Sequence, residues 1–329
     1  MENKYLHQVF EEDFLIGAAV TPWLLKQRGE FIATQFNSLT AENEMKFESL
    51  QPQRGVYQFE VADKMVEFAQ NNHMKMRGHT LVWHNQTPGW VFSNANGSSV
   101  SRDELLATMK EHIQNVVTRY KGKIYCWDVA NEVIDDREGF FRESKWHTII
   151  GDDFVQKAFE FAHEYDPEAQ LFYNDYNAVI PEKRERICRL LKQLIASGTP
   201  IHGMGIQGHW NIYGPSEDDI KRAIECYADL GLKVQMTELD LSVYAFENKE
   251  SKLLAPTKEM LTLQAERYES IFKIFKSYKD VITGITFWGV ADDYTWLDNF
   301  PVRKRKNWPF LFDENYKPKE SFQRVMAIK

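Results

Sequence analysis

The chain has 329 residues, 43% of them hydrophobic and 27% charged, with a formal net charge of −8. That is an ordinary globular balance with ample material for a core, and its length lies within the range of one large α/β barrel. The acidic surplus argues against a nucleic-acid partner, whose binding depends on basic surface to displace counterions.

Taken in order, residues 1–7 contain no apolar core of a secretory signal, and no later stretch reaches the length of a membrane-spanning helix. Cys126, Cys188 and Cys226 are an odd number at wide spacing, giving neither a disulfide framework nor a zinc pattern. Both features point to the cytoplasm, with no membrane partner. Strand-like runs are predicted at 14–20, 36–40, 75–82, 124–130, 171–173, 203–208, 233–237 and 284–288. Helical periodicity is predicted over 61–72, 101–120, 152–165, 182–197, 217–230, 256–278 and 319–327. Ser101 with Glu104 forms a capping-box pattern, Pro181 opens a helix that Gly198 closes, and Gly231 closes another.

Strands alternating with helices in an eightfold count predict a single α/β domain, a (β/α)8 TIM barrel over residues 1–329, with its site where strands end and βα-loops begin. A doubly wound open sheet is the rival. It usually carries a glycine-rich phosphate loop after its first strand, and Gly17-Ala18-Ala19-Val20-Thr21-Pro22 is not one.

Two predicted strands end in carboxylates, at Glu132 in Trp127-Asp128-Val129-Ala130-Asn131-Glu132 and at Glu238 in Met236-Thr237-Glu238-Leu239-Asp240. Paired carboxyls suit glycosidic bond cleavage, one protonated and one ionised, about 5 to 5.5 Å apart when configuration is retained. If the seventh strand stays regular, Met236, Glu238 and Asp240 share one side, while Gln207 and His209 share a side of the neighbouring strand. His209 would then bond Glu238 and keep it ionised, with Asp240 orienting the ring. Glu132 follows an apolar strand among aromatics, where burial favours its protonated form. A lone Glu at a strand end is as readily a surface charge, and it is the pairing that points to catalysis. Aromatic residues are 14% of the chain, nine of them Trp. Flat apolar faces suit sugar stacking, although most of the Phe are expected in the core. The spacings of His79 with His84 and of His202 with His209 lack a carboxylate third ligand on one helix face, so no metal is expected. Arg303-Lys304-Arg305-Lys306, the basic cluster, reads as a solvated loop.

The two carboxylate segments resemble the signature segments of glycoside hydrolase family 10, the retaining β-1,4-xylanases. Further similar stretches follow in family order: 40–46 (TAENEMK), 78–84 (GHTLVWH), 205–209 (GIQGH) and 286–290 (TFWGV). The resemblance covers nearly the whole chain and is nearest to the intracellular type. It implies Glu132 as general acid/base, Glu238 as nucleophile, and Asn131 bonding the 2-hydroxyl of the reacting sugar. It also implies Gln207 and His209 beside the centre, supported by Asp240. Glu42, Asn43, Lys46, His79, Trp83 and Gln86 would line the glycone side, Trp288 and Trp296 would wall the cleft, and Tyr176 would stack a sugar on the leaving-group side. Trp127 reads as core, and Trp23, Trp146 and Trp210, with no family role, read as packing. Ala130 departs from the pattern, which usually has a β-branched residue there.

The activity so implied is a retaining endo-β-1,4-xylanase acting on xylan or xylo-oligosaccharides, without cofactor or metal. A barrel filling the chain and the absent signal favour short imported xylo-oligosaccharides. Two alternatives stay open: a related glycosidase preferring β-1,4-glucan, distinguished by comparing aryl xylobioside with aryl cellobioside, and a catalytically silent sugar-binding barrel. The silent barrel is expected to have lost one of the two Glu, and both are present. Oligomeric state is not specified by the sequence.

Overall fold

The computed structural model describes residues 5–137, 139–250 and 252–328; the first four residues of the N-terminal reading lie outside them. Nine strands run parallel: β1 (Leu15–Val20), β2 (Ser38–Ala41), β3 (Lys75–Trp83), β4 (Cys126–Asn131), β5 (Gln170–Asp175), β6 (Gly203–Ile206), β7 (His209–Asn211), β8 (Lys233–Ser242) and β9 (Ile282–Phe287). Neighbours pair in sequence from β1 to β6, β6 pairs β8, and β9 returns to β1, closing the sheet. β7 resumes the line of β6 after two residues and lies against the far end of β8. The nine segments therefore occupy the eight positions of a (β/α)8 TIM barrel, as expected.

Helices on the outside and packed side chains within bury both faces of each strand, which is why the strands read as near-continuous apolar runs. β4 and β6 are buried at every position. The helix Arg102–Tyr120 starts on the capping box, with Ser101 Oγ accepting from the Glu104 amide and Glu104 Oε2 accepting from the Ser101 amide at 2.7 Å. Pro181 opens the helix Pro181–Ala196, and Gly198 beyond it has a φ of +74°.

The lumen is not wholly apolar. Arg77 of β3 reaches Asp128 of β4 through both terminal nitrogens and Gln235 of β8 through Nε at 2.8 Å. Arg77 and Asp128 are fully buried. A buried charge is tolerated only when paired and hydrogen-bonded, and here the guanidinium fork meets a carboxylate on the adjacent strand. Asp128 also accepts from His79 Nδ1 at 2.8 Å, joining the lumen to the rim where β3 ends.

Three expectations need correcting. A helix, Pro22–Gln35, fills the gap left between the first two strands; its periodicity is weak because Arg28 has non-helical backbone angles and the helix buries only Leu24 and Ile32. Cys188 and Cys226, on the adjacent helices Pro181–Ala196 and Glu217–Ala228, form a disulfide. Wide spacing in sequence concealed a close approach in space, and the cysteines therefore give no argument for a reducing compartment. Finally, Arg305 is not part of a solvated loop: it is buried, packs on the Tyr244 ring at 4.1 Å and donates to the Asn248 carbonyl. Among the described residues, no helix is long and apolar enough to cross a membrane.

Gly78 of β3 faces the fully buried Trp127 ring, and a Cβ there would overlap the indole. Overpacking of this kind costs about 1–3 kcal/mol. Gly78→Ala is expected to lower the urea midpoint of unfolding accordingly; an unchanged midpoint would mean that the indole has room to move.

Candidate active site

The C-terminal ends of the strands surround a cavity of about 760 Å³ lined by Glu42, Asn43, Lys46, His79, Trp83, Asn131, Glu132, Tyr176, Gln207, His209, Glu238, Trp288 and Trp296, among others. Both carboxylates singled out in the sequence thus face one space. Two further residues named there stand behind the wall. Asp240 is fully buried beneath His209, and Gln86 reaches Lys46 Nζ at 2.8 Å without lining the cavity.

Neighbouring residues of a regular strand point to opposite faces, yet Asn131 and Glu132 both line the cavity. The chain manages this by turning: Glu132 has a φ of +57°, in the left-handed region that non-glycine residues seldom adopt. Its amide is held by the Asn174 carbonyl at 2.9 Å. The alternation expected for the seventh barrel strand also fails locally. Thr237 and Glu238 both reach Asn174, through bonds of 2.6 and 2.8 Å, where the register with β9 shifts between Met236 and Leu239.

Asn174 is one of the residues that the sequence reading missed. Its Nδ2 donates to Asn131 Oδ1 at 2.9 Å and to Glu238 Oε1 at 2.8 Å. Gln207 Nε2 donates to Glu132 Oε1 at 3.0 Å and approaches Asn131 Oδ1 at 3.4 Å. An unbroken line of side-chain amides therefore runs between the two carboxyls. Space for Asn174 exists because Gly205 opposes it; a Cβ at Gly205 would collide with Asn174 Oδ1.

The two carboxyls are driven apart electrostatically. Burial pushes Glu132 above the ordinary carboxylate range, with the charges of Asp175 and Glu238 adding to it, against hydrogen bonds from Gln207 and Trp83. Trp83 Nε1 donates to Glu132 Oε2 at 2.8 Å. Burial opposes ionisation of Glu238 too, but hydrogen bonding and charge from His209, with His79 and Asn174, hold it below its ordinary value. His209 donates through Nε2 to Glu238 at 3.1 Å and through Nδ1 to Asp240 at 2.9 Å. Burial alone would discharge this imidazole, yet the two carboxylates raise it to about 10, so it is a cation at neutral pH. Close to Glu132, His84 goes the other way: burial, with Arg142 and Lys183, lowers it to about 4, and its Nε2 lies 3.9 Å from Glu132 Oε2.

At the Glu42 end, Lys46 Nζ donates to Asn43 Oδ1 at 3.0 Å and sits 4.9 Å from the Trp83 ring centre. Trp288 meets His79 edge to face, and Trp296 donates to Asp240 at 2.8 Å while stacking on Phe300. At the opposite end, Tyr176 is held on several sides. Lys183 Nζ lies 3.7 Å from its ring centre, Arg142 donates to its hydroxyl at 2.7 Å, and that hydroxyl donates to Asp136. The nearly buried Lys183 pairs with Asp136 and Asp175, each at 2.8 Å. Asn174, Arg142 and Lys183 gave no sequence signal of their own, although Asn174 and Asp175 directly precede Tyr176 at the end of β5.

Comparison with known proteins places these features in a wider setting. Residues 5–328 match the model of glycosyl hydrolase family 10. The chain is 56% identical to an endo-1,4-beta-xylanase of Geobacillus stearothermophilus over 98% of both chains. It is 54% identical to endo-1,4-beta-xylanase B of Paenibacillus barcinonensis over 97% of this chain and 96% of that one. The crystal structure of xylanase XynB from Paenibacillus barcinonensis, complexed with a conduramine derivative, superimposes with a TM-score of 0.97 at 52% identity, covering 99% of each chain. A point-mutant structure in complex with xylotriose gives 0.97 at 48% identity, covering 99% and 100%.

The His209 cation yields a stability prediction whose sign follows from linkage. A histidine whose folded value lies above its unfolded one contributes stability that is full below about pH 6.5 and is lost as pH rises through about 10. The deficit of a His209→Asn variant, measured by urea unfolding, is therefore expected to be largest near pH 6 and to shrink towards pH 10. A deficit independent of pH would assign His209 a packing role only.

Proposed function

The chain belongs to glycosyl hydrolase family 10 and is an endo-1,4-β-xylanase, and on that premise we propose that it hydrolyses xylan or xylo-oligosaccharides by double displacement. Glu238 is the nucleophile and Glu132 the acid/base. What supports this assignment above all is one observation: the buried Glu238 and the largely buried Glu132 face the same cavity, in surroundings that push Glu132 above and Glu238 below the ordinary carboxylate value. Environments that push two titratable groups apart separate acid from nucleophile.

In the first step Glu238 forms a bond to the anomeric carbon as the glycosidic C–O bond breaks, and the Glu132 proton passes to the leaving oxygen. In the second step Glu132, now ionised, takes a proton from water as that water attacks the same carbon and releases Glu238. Two displacements return the original configuration. The ionised Glu238 is ready to attack because the His209 cation compensates its burial, while Asp240 holds the ring. Asn131, its Oδ1 engaged by Asn174, keeps its amide N–H groups to bond the 2-hydroxyl, a contact that strengthens in the oxocarbenium-like transition state. Lys46, Asn43 and Glu42 hold the glycone end. Tyr176 offers a flat face to the leaving sugar. The two carboxyls supply both proton transfer and the nucleophile, so the steps are complete without a further group.

Two variants test the roles. Glu238→Ala is expected to abolish turnover, and added azide to restore it with formation of the α-glycosyl azide; recovery of the β-azide would reassign the nucleophile. Glu132→Ala is expected to lose about 100-fold or more on unactivated xylo-oligosaccharides, with a milder loss in the first step when the leaving group is a dinitrophenol. Equal losses of that step across leaving groups would exclude Glu132 as the acid.

A further inference from the structure

Five aromatic side chains stand exposed among the described residues: Tyr5, Trp23, Tyr213, Tyr294 and Phe300. Four of them follow the C-terminal ends of barrel strands, on the face that holds the cavity, and Tyr5 alone precedes β1. Phe300 lines the cavity and Tyr294 bonds its wall residue Glu42, whereas Tyr213 borders a separate hollow beside the outer helices; such scattered residues need no explanation, and it is the place of Trp23 in the chain that sets it apart. Trp23 is the largest of these side chains. It is 57% exposed, whereas Trp146 and Trp210, grouped with it as packing in the sequence, are buried.

The backbone joins Trp23 to the cavity wall. It lies in the first turn of the helix Pro22–Gln35, which starts directly after β1. The Thr21 hydroxyl caps that turn, accepting from the Leu24 amide at 3.2 Å, and Pro22 stiffens it. Three residues earlier, the Val20 carbonyl accepts from the Glu42 amide at 3.0 Å. Glu42 lines the cavity and also accepts from the Tyr294 hydroxyl at 3.2 Å. The backbone that carries this exposed indole is therefore tied to the wall residue at the glycone end, while the indole itself does not line the cavity. The helix packs on the core through Leu24 and Ile32, with Leu25, Phe31 and Ala33 partly buried against it, and Trp23 is not among them.

We propose that Trp23 is a distal sugar-stacking platform: a binding position for a xylosyl unit of a longer chain, beyond the units held inside the cavity at the Glu42 end. The position rests on the reading of the cavity as a xylan cleft with Glu42 on the glycone side. An indole face matches the apolar face of a pyranose ring, and the capped first turn holds the backbone that carries it in place.

The test compares Trp23→Ala and Trp23→Phe with the parent on two substrates. Aryl xylobioside is too short to reach Trp23, and linear xylohexaose reaches it. For Trp23→Ala the expected result is a fall in kcat/KM of about fivefold on xylohexaose, with unchanged kinetics on the aryl xylobioside and products displaced towards cleavage with fewer glycone units. Trp23→Phe, which keeps a flat ring, is expected to recover most of the loss. Unchanged xylohexaose kinetics and products in Trp23→Ala would overturn the proposal, and an equal loss on both substrates would overturn it in favour of a folding role. Failure of the parent to cleave either substrate would instead overturn the reading of the cavity as a xylan cleft.

Discussion

Two carboxyl groups buried in one cavity cannot both hold a charge at neutral pH unless something compensates one of them. The cation at His209 does so. It is hydrogen-bonded to Asp240 on one side and Glu238 on the other, so a buried trio carries one net negative charge instead of two adjacent ones. Among the described residues, no cation is hydrogen-bonded to the Glu132 carboxyl. Its neighbours are an amide, an indole and a histidine that burial keeps neutral, so the carboxyl retains its proton above the usual range. The asymmetry between the proposed acid and nucleophile thus follows chiefly from the placing of His209, with His79 and Asn174 acting in the same direction on Glu238.

The arrangement depends on departures from regular geometry. A φ of +57° at Glu132, a φ of +77° at Gly208 between Gln207 and His209, and the slipped register around Glu238 all occur where strands end. Irregular backbone at strand ends re-aims side chains. Here it gathers Asn131, Glu132, Gln207, His209 and Glu238 around one space that ideal strands would have split between inside and outside. Regularity below that level is enforced by Arg77 and Asp128, whose buried pair ties β3 to β4 and hands a hydrogen bond up to His79.

Much of this was legible in the sequence because it is carried by local pattern: apolar runs for strands, capping residues for helices, and carboxylates at run ends. The His209, Glu238 and Asp240 trio was expected from alternation on two strands taken to be neighbours, and it forms although the strand is not regular there. What was not legible depends on proximity between distant segments. Asn174 bonds residues 43 and 64 positions away, and nothing in its own neighbourhood announces that. Cys188 and Cys226 meet only because two helices lie side by side. The helix Pro22–Gln35 escaped notice for the opposite reason, since a kink at Arg28 and a thin buried face blur its period. Trp23 was misplaced with it.

Tyr176 shows what such a setting implies for repeated use. An ammonium lies against its ring and its hydroxyl is tied to Arg142 and Asp136, so the phenol is held on its face and at its tip. A fragment departing from it would leave behind a surface already shaped for its successor. Recovery between cycles at that end would then require no rebuilding.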